Sequence, residues 1–155
     1  MLFPLAWYLT WTTYGTWLHG DPRGSHLGPI PMKPNPELEA AMRAQMTEEP
    51  VFLTDEQRKI VEKKIAEECA AQGWTLHALN ARTNHVHAVV SASRDGKYLR
   101  SRLKALASAS LSDAEGLFGT GKHGRRRWWT EKGNTVEVEN EKALEEIVVY
   151  VRDMQ

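Results

Sequence analysis

Trp74-Thr75-Leu76-His77-Ala78-Leu79-Asn80-Ala81-Arg82, then Thr83-Asn84, then His85-Val86-His87-Ala88-Val89-Val90, is the stretch from which the fold is read. Both limbs have the length and apolar character of strands, and so short a link predicts an antiparallel hairpin. Side chains alternate along a strand, so His85 and His87 share one face while Val86 points to the other. Two imidazoles side by side suit a divalent metal, but they also suit a strand that is merely half exposed. The rest of the chain has to separate the two.

Upstream, Thr54-Asp55-Glu56-Gln57 is a capping box that opens a helix. Val61, Ile65 and Cys69 form its inward stripe with Ile60 beside them, Glu62, Lys63, Glu67 and Glu68 face water, and Gly73 supplies the stop. Leu5 to Tyr14 is dense in aromatic and β-branched residues and reads as a strand, with Trp7, Leu9 and Trp11 on one face and Tyr8, Thr10 and Thr12 on the other. Glycines and prolines from Gly15 to Pro36 mark a long loop whose Gly-Thr-Trp-Leu-His-Gly-Asp start is too specific for disorder, and Glu37 to Met46 reads as a short helix.

Downstream, Asp95 caps a helix whose buried stripe is Leu99, Leu103, Leu106, Ala107, Ser110 and Leu111, with Lys97, Arg100 and Lys104 on its outer face. A loop rich in glycine and basic residues runs from Gly116 to Arg127. Arg127-Trp128-Trp129-Thr130 and Thr135-Val136-Glu137-Val138 then read as a final strand or hairpin around Lys132-Gly133-Asn134. Asn140 caps a last helix with Leu144, Ile147, Val148 and Val151 inward. The order strand, helix, strand, strand, helix, strand, helix predicts an α+β, ferredoxin-like (RRM-like) antiparallel sheet with helices on one face plus a C-terminal helix.

The 155 residues make one domain, 1–155, with 41% hydrophobic and 26% charged residues, a soluble globular composition. No apolar run reaches the roughly 18 residues of a membrane span. The N-terminus lacks the basic start of a secretory leader, and the single Cys69 fits a reducing compartment, so a cytoplasmic, nucleoid-associated protein is expected. Twenty basic residues balance twenty acidic ones, which disfavours a protein that coats nucleic acid by bulk charge. Distribution says more than the total. Arg94 to Arg127 holds nine Lys or Arg against three acids, a basic sector suited to a localised anionic partner.

A catalytic metal site needs a third protein ligand beyond a His-x-His pair. The last helix offers Tyr150, Asp153 and Gln155, and Tyr150 stands out because the inward stripe is already filled without it.

Five motifs, taken together and in order, resemble the single-tyrosine HUH transposases, which include the REP-associated tyrosine transposases: Trp11-Thr12-Thr13-Tyr14-Gly15-Thr16-Trp17-Leu18-His19-Gly20-Asp21; Arg82-Thr83-Asn84-His85-Val86-His87; Leu103-Lys104-Ala105; Trp128-Trp129-Thr130; and Tyr150-Val151-Arg152-Asp153-Met154-Gln155. The resemblance implies a metal-dependent single-stranded DNA endonuclease and strand transferase. Tyr150 would be the nucleophile that forms a 5′-phosphotyrosine link and frees a 3′-OH. His85 and His87 would hold Mg²⁺ or Mn²⁺, which polarises the scissile phosphate. It also implies hairpin-bearing single-stranded DNA as partner, and a homodimer. In the family's best-known members a glutamine or asparagine four residues after the tyrosine completes the metal site. Here that position is Met154, a poor ligand for a hard cation; the metal set the resemblance implies is then His85, His87 and Gln155, with Asp153 as the alternative third ligand. Gln155 lies roughly 140° round an ideal helix from Tyr150 and reaches the site only where the helix ends or loosens.

Lys97, Arg100, Lys104, Arg125, Arg126 and Arg127 are the candidate phosphate contacts, with Trp17, Trp128 and Trp129 as stacking platforms and His19 and Arg23 as further contacts. The alternative to an enzyme is a domesticated single-stranded DNA-binding protein of the same fold that has lost turnover. An RNA-binding module is disfavoured because the central strand presents imidazoles where stacking aromatics are expected.

Overall fold

A computed structural model describes residues 2–27, 30–116 and 127–153. Its strands are β1 (Ala6–Thr12), β2 (Ser25–Leu27), β3 (Ile30–Met32), β4 (Thr75–Ala81), β5 (His85–Ser91) and β6 (Asn134–Val138). Its helices are α1 (Pro36–Ala44), α2 (Asp55–Gln72), α3 (Gly96–Ala114) and α4 (Glu141–Asp153). The main sheet has the order β4-β5-β1-β6 with every pairing antiparallel. β5 is antiparallel to both β4 and β1, so those two run parallel with β5 between them, the split arrangement expected from the element order.

The local signals behave as their chemistry dictates. Thr54 and Gln57 close the capping box of α2, and Gly73 ends that helix at φ 75°. The Asp95 carboxylate accepts from the Lys97 and Tyr98 amides at the start of α3, and Asn140 caps α4. Gly96, in the first turn of α3, has no room for a side chain, because a Cβ there would lie 2.2 Å from Thr135 Cγ2 and 2.6 Å from the Trp7 ring.

Two apolar clusters flank the sheet. Trp7, Leu9 and Trp11 of β1 and Val86, Ala88 and Val90 of β5 face α2 and α3, where they meet Val61, Ile65, Leu99, Leu103 and Leu111. Ala6, Val89 and Val138 face the other way and meet Val151, with Leu144, Ile147 and Val148 of α4 alongside. The last helix therefore covers the face that α2 and α3 leave open, and this is the face of the histidines.

Several expectations need correction. The segment before β6 is not a strand of its hairpin: Trp129 makes one isolated bridge to Thr13 of β1's extension, and the Thr130 amide donates to the Thr12 carbonyl. The indoles hold it there, since Trp128 Nε1 donates to Ser112 Oγ and Trp129 Nε1 to the Lys104 carbonyl. The long first loop contains the small β2–β3 hairpin and then α1, capped by Asn35. Glu68 is buried rather than solvated, and its carboxylate pairs with the Arg102 guanidinium across the α2–α3 contact.

Candidate functional site

Register brings the site together. Thr12 lies opposite His85 and Thr10 opposite His87 on β1, while Asn80 of β4 lies opposite His87 from the other side. Directly paired residues share a face, so β1, β4 and β5 line one surface with Tyr8, Thr10, Thr12, Asn80, His85 and His87. The two imidazoles meet edge to face with centroids 4.6 Å apart.

Each imidazole has a partner at Nδ1. His85 Nδ1–H donates to the Asn84 side-chain oxygen at 2.6 Å. A 2.6 Å hydrogen bond also joins His87 Nδ1 to Tyr8 Oη, and those rings lie 14° from parallel with centroids 5.8 Å apart. His87 Nε2 is buried and has no hydrogen-bond partner. Burial, then the His85 and Arg82 charges, pushes the His87 imidazole down to about 4, and burial with Arg82 and Arg23 lowers His85 as well. Both rings are thus held neutral, the state in which an imidazole ligates a metal. The buried, unpartnered Nε2 of His87 fits that role.

α4 is tied down over this surface. Asn80 Nδ2 donates to the Val151 carbonyl at 2.9 Å, and Val151 is fully buried. Tyr150, next in sequence, is 55% exposed and lies close enough for its charge to join burial in raising the Tyr8 hydroxyl to about 12. The proposed nucleophile and the His87 partner therefore stand on the same side of the sheet. Asp153 is exposed on the last turn, 3.5 Å from Arg152. Gln155 lies outside the described residues, as do Met154, Arg125 and Arg126. Among the described residues no group of three His, Cys, Asp or Glu forms a metal-sized cluster.

The basic candidates are placed differently. Lys97 is exposed on α3. Arg100 is buried, and its guanidinium donates to the Gly133 carbonyl and to Thr135 Oγ1. Lys104 Nζ donates to the Thr130 and Lys132 carbonyls, and burial pushes its ammonium down to about 8. Arg100 and Lys104 thus brace the segment leading into β6 on the α3 side, away from the histidines. Arg127 is exposed, and its backbone amide donates to Glu48. Trp128 is buried and Trp129 half-buried, whereas Trp17 is 40% exposed.

Sequence reasoning missed Tyr8, and it named Trp17 and Arg23 of the first loop without the contacts that join them. Asp21, itself buried, grips the Arg23 guanidinium through both oxygens at 2.8 and 2.7 Å, and Arg23 lies 4.0 Å over the Trp17 ring. The alternation of β1 already put Tyr8 on the face of Thr10 and Thr12. The pairing with β5 was the piece not visible.

Seven solved chains match this fold. A Deinococcus radiodurans R1 protein described as a transposase aligns over 97% of this chain and 91% of its own, with TM-score 0.55 and 15% identity. A REP-associated tyrosine transposase, solved bound to a REP hairpin, aligns over 97% of this chain with TM-score 0.54 and 12% identity. The chain has the fold of a tyrosine transposase. It spans 66% of that hairpin-bound protein, so the transposase-like fold here accounts for about two thirds of the larger chain. No protein-family model matches the sequence, and no curated protein matches it.

Proposed function

We propose that this protein is a metal-dependent single-stranded DNA endonuclease and strand transferase with Tyr150 as nucleophile. The observation that carries the reading is the His85–His87 pair, ring centroids 4.6 Å apart, on the sheet face that is covered by α4, the helix of Tyr150. In the reaction, Tyr150 Oη bonds to the scissile phosphorus as the phosphorus–O3′ bond breaks. The phenolic proton leaves to a base, and the freed 3′ oxygen takes up a proton. The phosphotyrosine keeps the energy of the broken ester, so the 3′-OH of a new strand can reverse the step without ATP.

His85 and His87 are the residues that would hold Mg²⁺ or Mn²⁺, which, when bound, stabilises negative charge on the phosphate oxygens. Arg23 and Arg82 put positive charge near His85, and Lys97 and Arg127 are exposed cations for the flanking backbone. The reading includes hairpin-bearing DNA as substrate and a homodimer, in which α4 of one copy serves the histidines of either.

Incubation with short hairpin-bearing single-stranded DNA and Mn²⁺ tests it. A denaturant-resistant protein–DNA adduct should form, and should vanish in Tyr150→Phe and in His85→Ala/His87→Ala. A binding protein without turnover is the second reading, favoured by Met154, a poor ligand for a hard cation, four residues after Tyr150. Tight binding with no adduct in Mg²⁺ or Mn²⁺ would identify it.

A further inference from the structure

We propose that Tyr8 and Asn84 are positioning residues that hold His87 and His85 in one tautomer, with the proton on Nδ1 and Nε2 left as the ligand atom for a divalent cation. The inference rests on the metal reading above and extends it to two residues outside the His-x-His motif.

The Asn84 side-chain oxygen only accepts hydrogen bonds, so the 2.6 Å contact requires the proton on His85 Nδ1. For His87 the contact to Tyr8 Oη does not decide by itself, because a phenol both donates and accepts. The other nitrogen decides. His87 Nε2 is buried without any partner, and a proton there would be an N–H sealed from water with nothing to receive it. With the proton on Nδ1 donating to Tyr8, Nε2 instead presents a lone pair, which a cation satisfies. Which ring nitrogen ligates is set by the bond the other makes, and such orienting partners also fix the ring plane.

The two partners reach the pair from different elements. Asn84 comes from the turn before β5. Tyr8 is the diagonal neighbour of His87, since Thr10 is its direct partner and Tyr8 pairs with Val89. The near-parallel Tyr8 and His87 rings limit rotation of the imidazole about its Cβ–Cγ bond. One hydroxyl and one amide thus preset both imidazoles before any metal arrives, where free side chains would have to be ordered by it.

The test is long-range ¹H–¹⁵N correlation on ¹⁵N-histidine protein without metal, near neutral pH, with Mn²⁺ affinity measured in parallel by electron paramagnetic resonance. Wild type should show both rings with the proton on Nδ1. Tyr8→Phe, which keeps the stacked ring, should leave the His87 proton shared between Nδ1 and Nε2 and weaken Mn²⁺ by about 10–100-fold. Asn84→Ala should do the same at His85, and Asn84→Asp, which keeps an acceptor, should restore the wild-type tautomer. A His87 proton on Nε2 in wild type, or a tautomer and Mn²⁺ affinity unchanged in Tyr8→Phe, would overturn the proposal. The expected tautomers with no binding of Mn²⁺ or Mg²⁺ by wild type would overturn the metal reading, while the orienting role of the two residues stood.

Discussion

Replacing His87 with asparagine should remove a pH-dependent part of the metal-free protein's stability. His87 is 8% exposed, and burial with the His85 and Arg82 charges holds its imidazole at about 4 against an ordinary 6.5. The unfolded chain takes a proton near pH 6.5 that the folded chain refuses until about pH 4, so the folded pKa lies below the unfolded one. Stability from neutral His87 is therefore complete above the unfolded value and is lost as pH falls through the window between them. At about pH 5 the ratio of the two protonation factors is roughly thirtyfold, or about 2 kcal/mol, and the loss levels off near about 3 kcal/mol below pH 4. A loss of that size is a large part of an ordinary domain's stability.

Asparagine does not titrate and keeps a polar atom where Nδ1 meets Tyr8. Urea unfolding followed by tryptophan fluorescence in EDTA, at about pH 7.5 and about pH 5, compares the two proteins. Wild type should lose about 2 kcal/mol more than His87→Asn between those conditions. Equal losses would refute the claim that the folded site holds this imidazole neutral.

Other outcomes follow from named contacts. Asn80→Ala removes the bond to the Val151 carbonyl and should cost about 1 kcal/mol, with faster amide exchange across the last turn of α4. Gly96→Ala forces a methyl into the space held by Thr135 and Trp7 and should lower stability by about 1–3 kcal/mol, read as a lower urea midpoint at constant slope. Lys104→Met releases the Thr130 and Lys132 carbonyls and should speed exchange from Trp129 to Gly133, leaving the salt dependence of DNA binding as in wild type. Lys97→Ala, by contrast, should lower the salt slope by about one with no change in exchange.

Much of this was legible in the chain because the signals are local. The Thr54–Gln57 box, the Gly73 stop and the Asp95 and Asn140 caps act within one helical turn, so four residues suffice to see them. The alternation of β1 and β5 sorted Trp7, Leu9 and Trp11 from Tyr8, and Val86 from the histidines, before any partner was known. Arg100, Lys104 and Glu68 defeated the same reasoning. Their spacing suits a solvated face, but the β6 approach and the neighbouring helix lie over those positions, and long polar side chains were recruited to carbonyls and to an ion pair. Trp128 and Trp129 likewise read as a strand and turned out to be anchored by their indole N–H groups.

By itself the sequence determined the elements, their order and the placing of two imidazoles on one strand face, because periodicity and capping are properties of neighbouring residues. Only the tertiary structure decided which residues meet that pair. Strand register set Tyr8 diagonal to His87 and Asn80 beside it, the packing of Val151 carried α4 to the face left open by α2 and α3, and burial lowered the proton affinity of both histidines. Those effects come from residues far apart in the chain, whose meeting depends on how the apolar faces of distant elements cover one another.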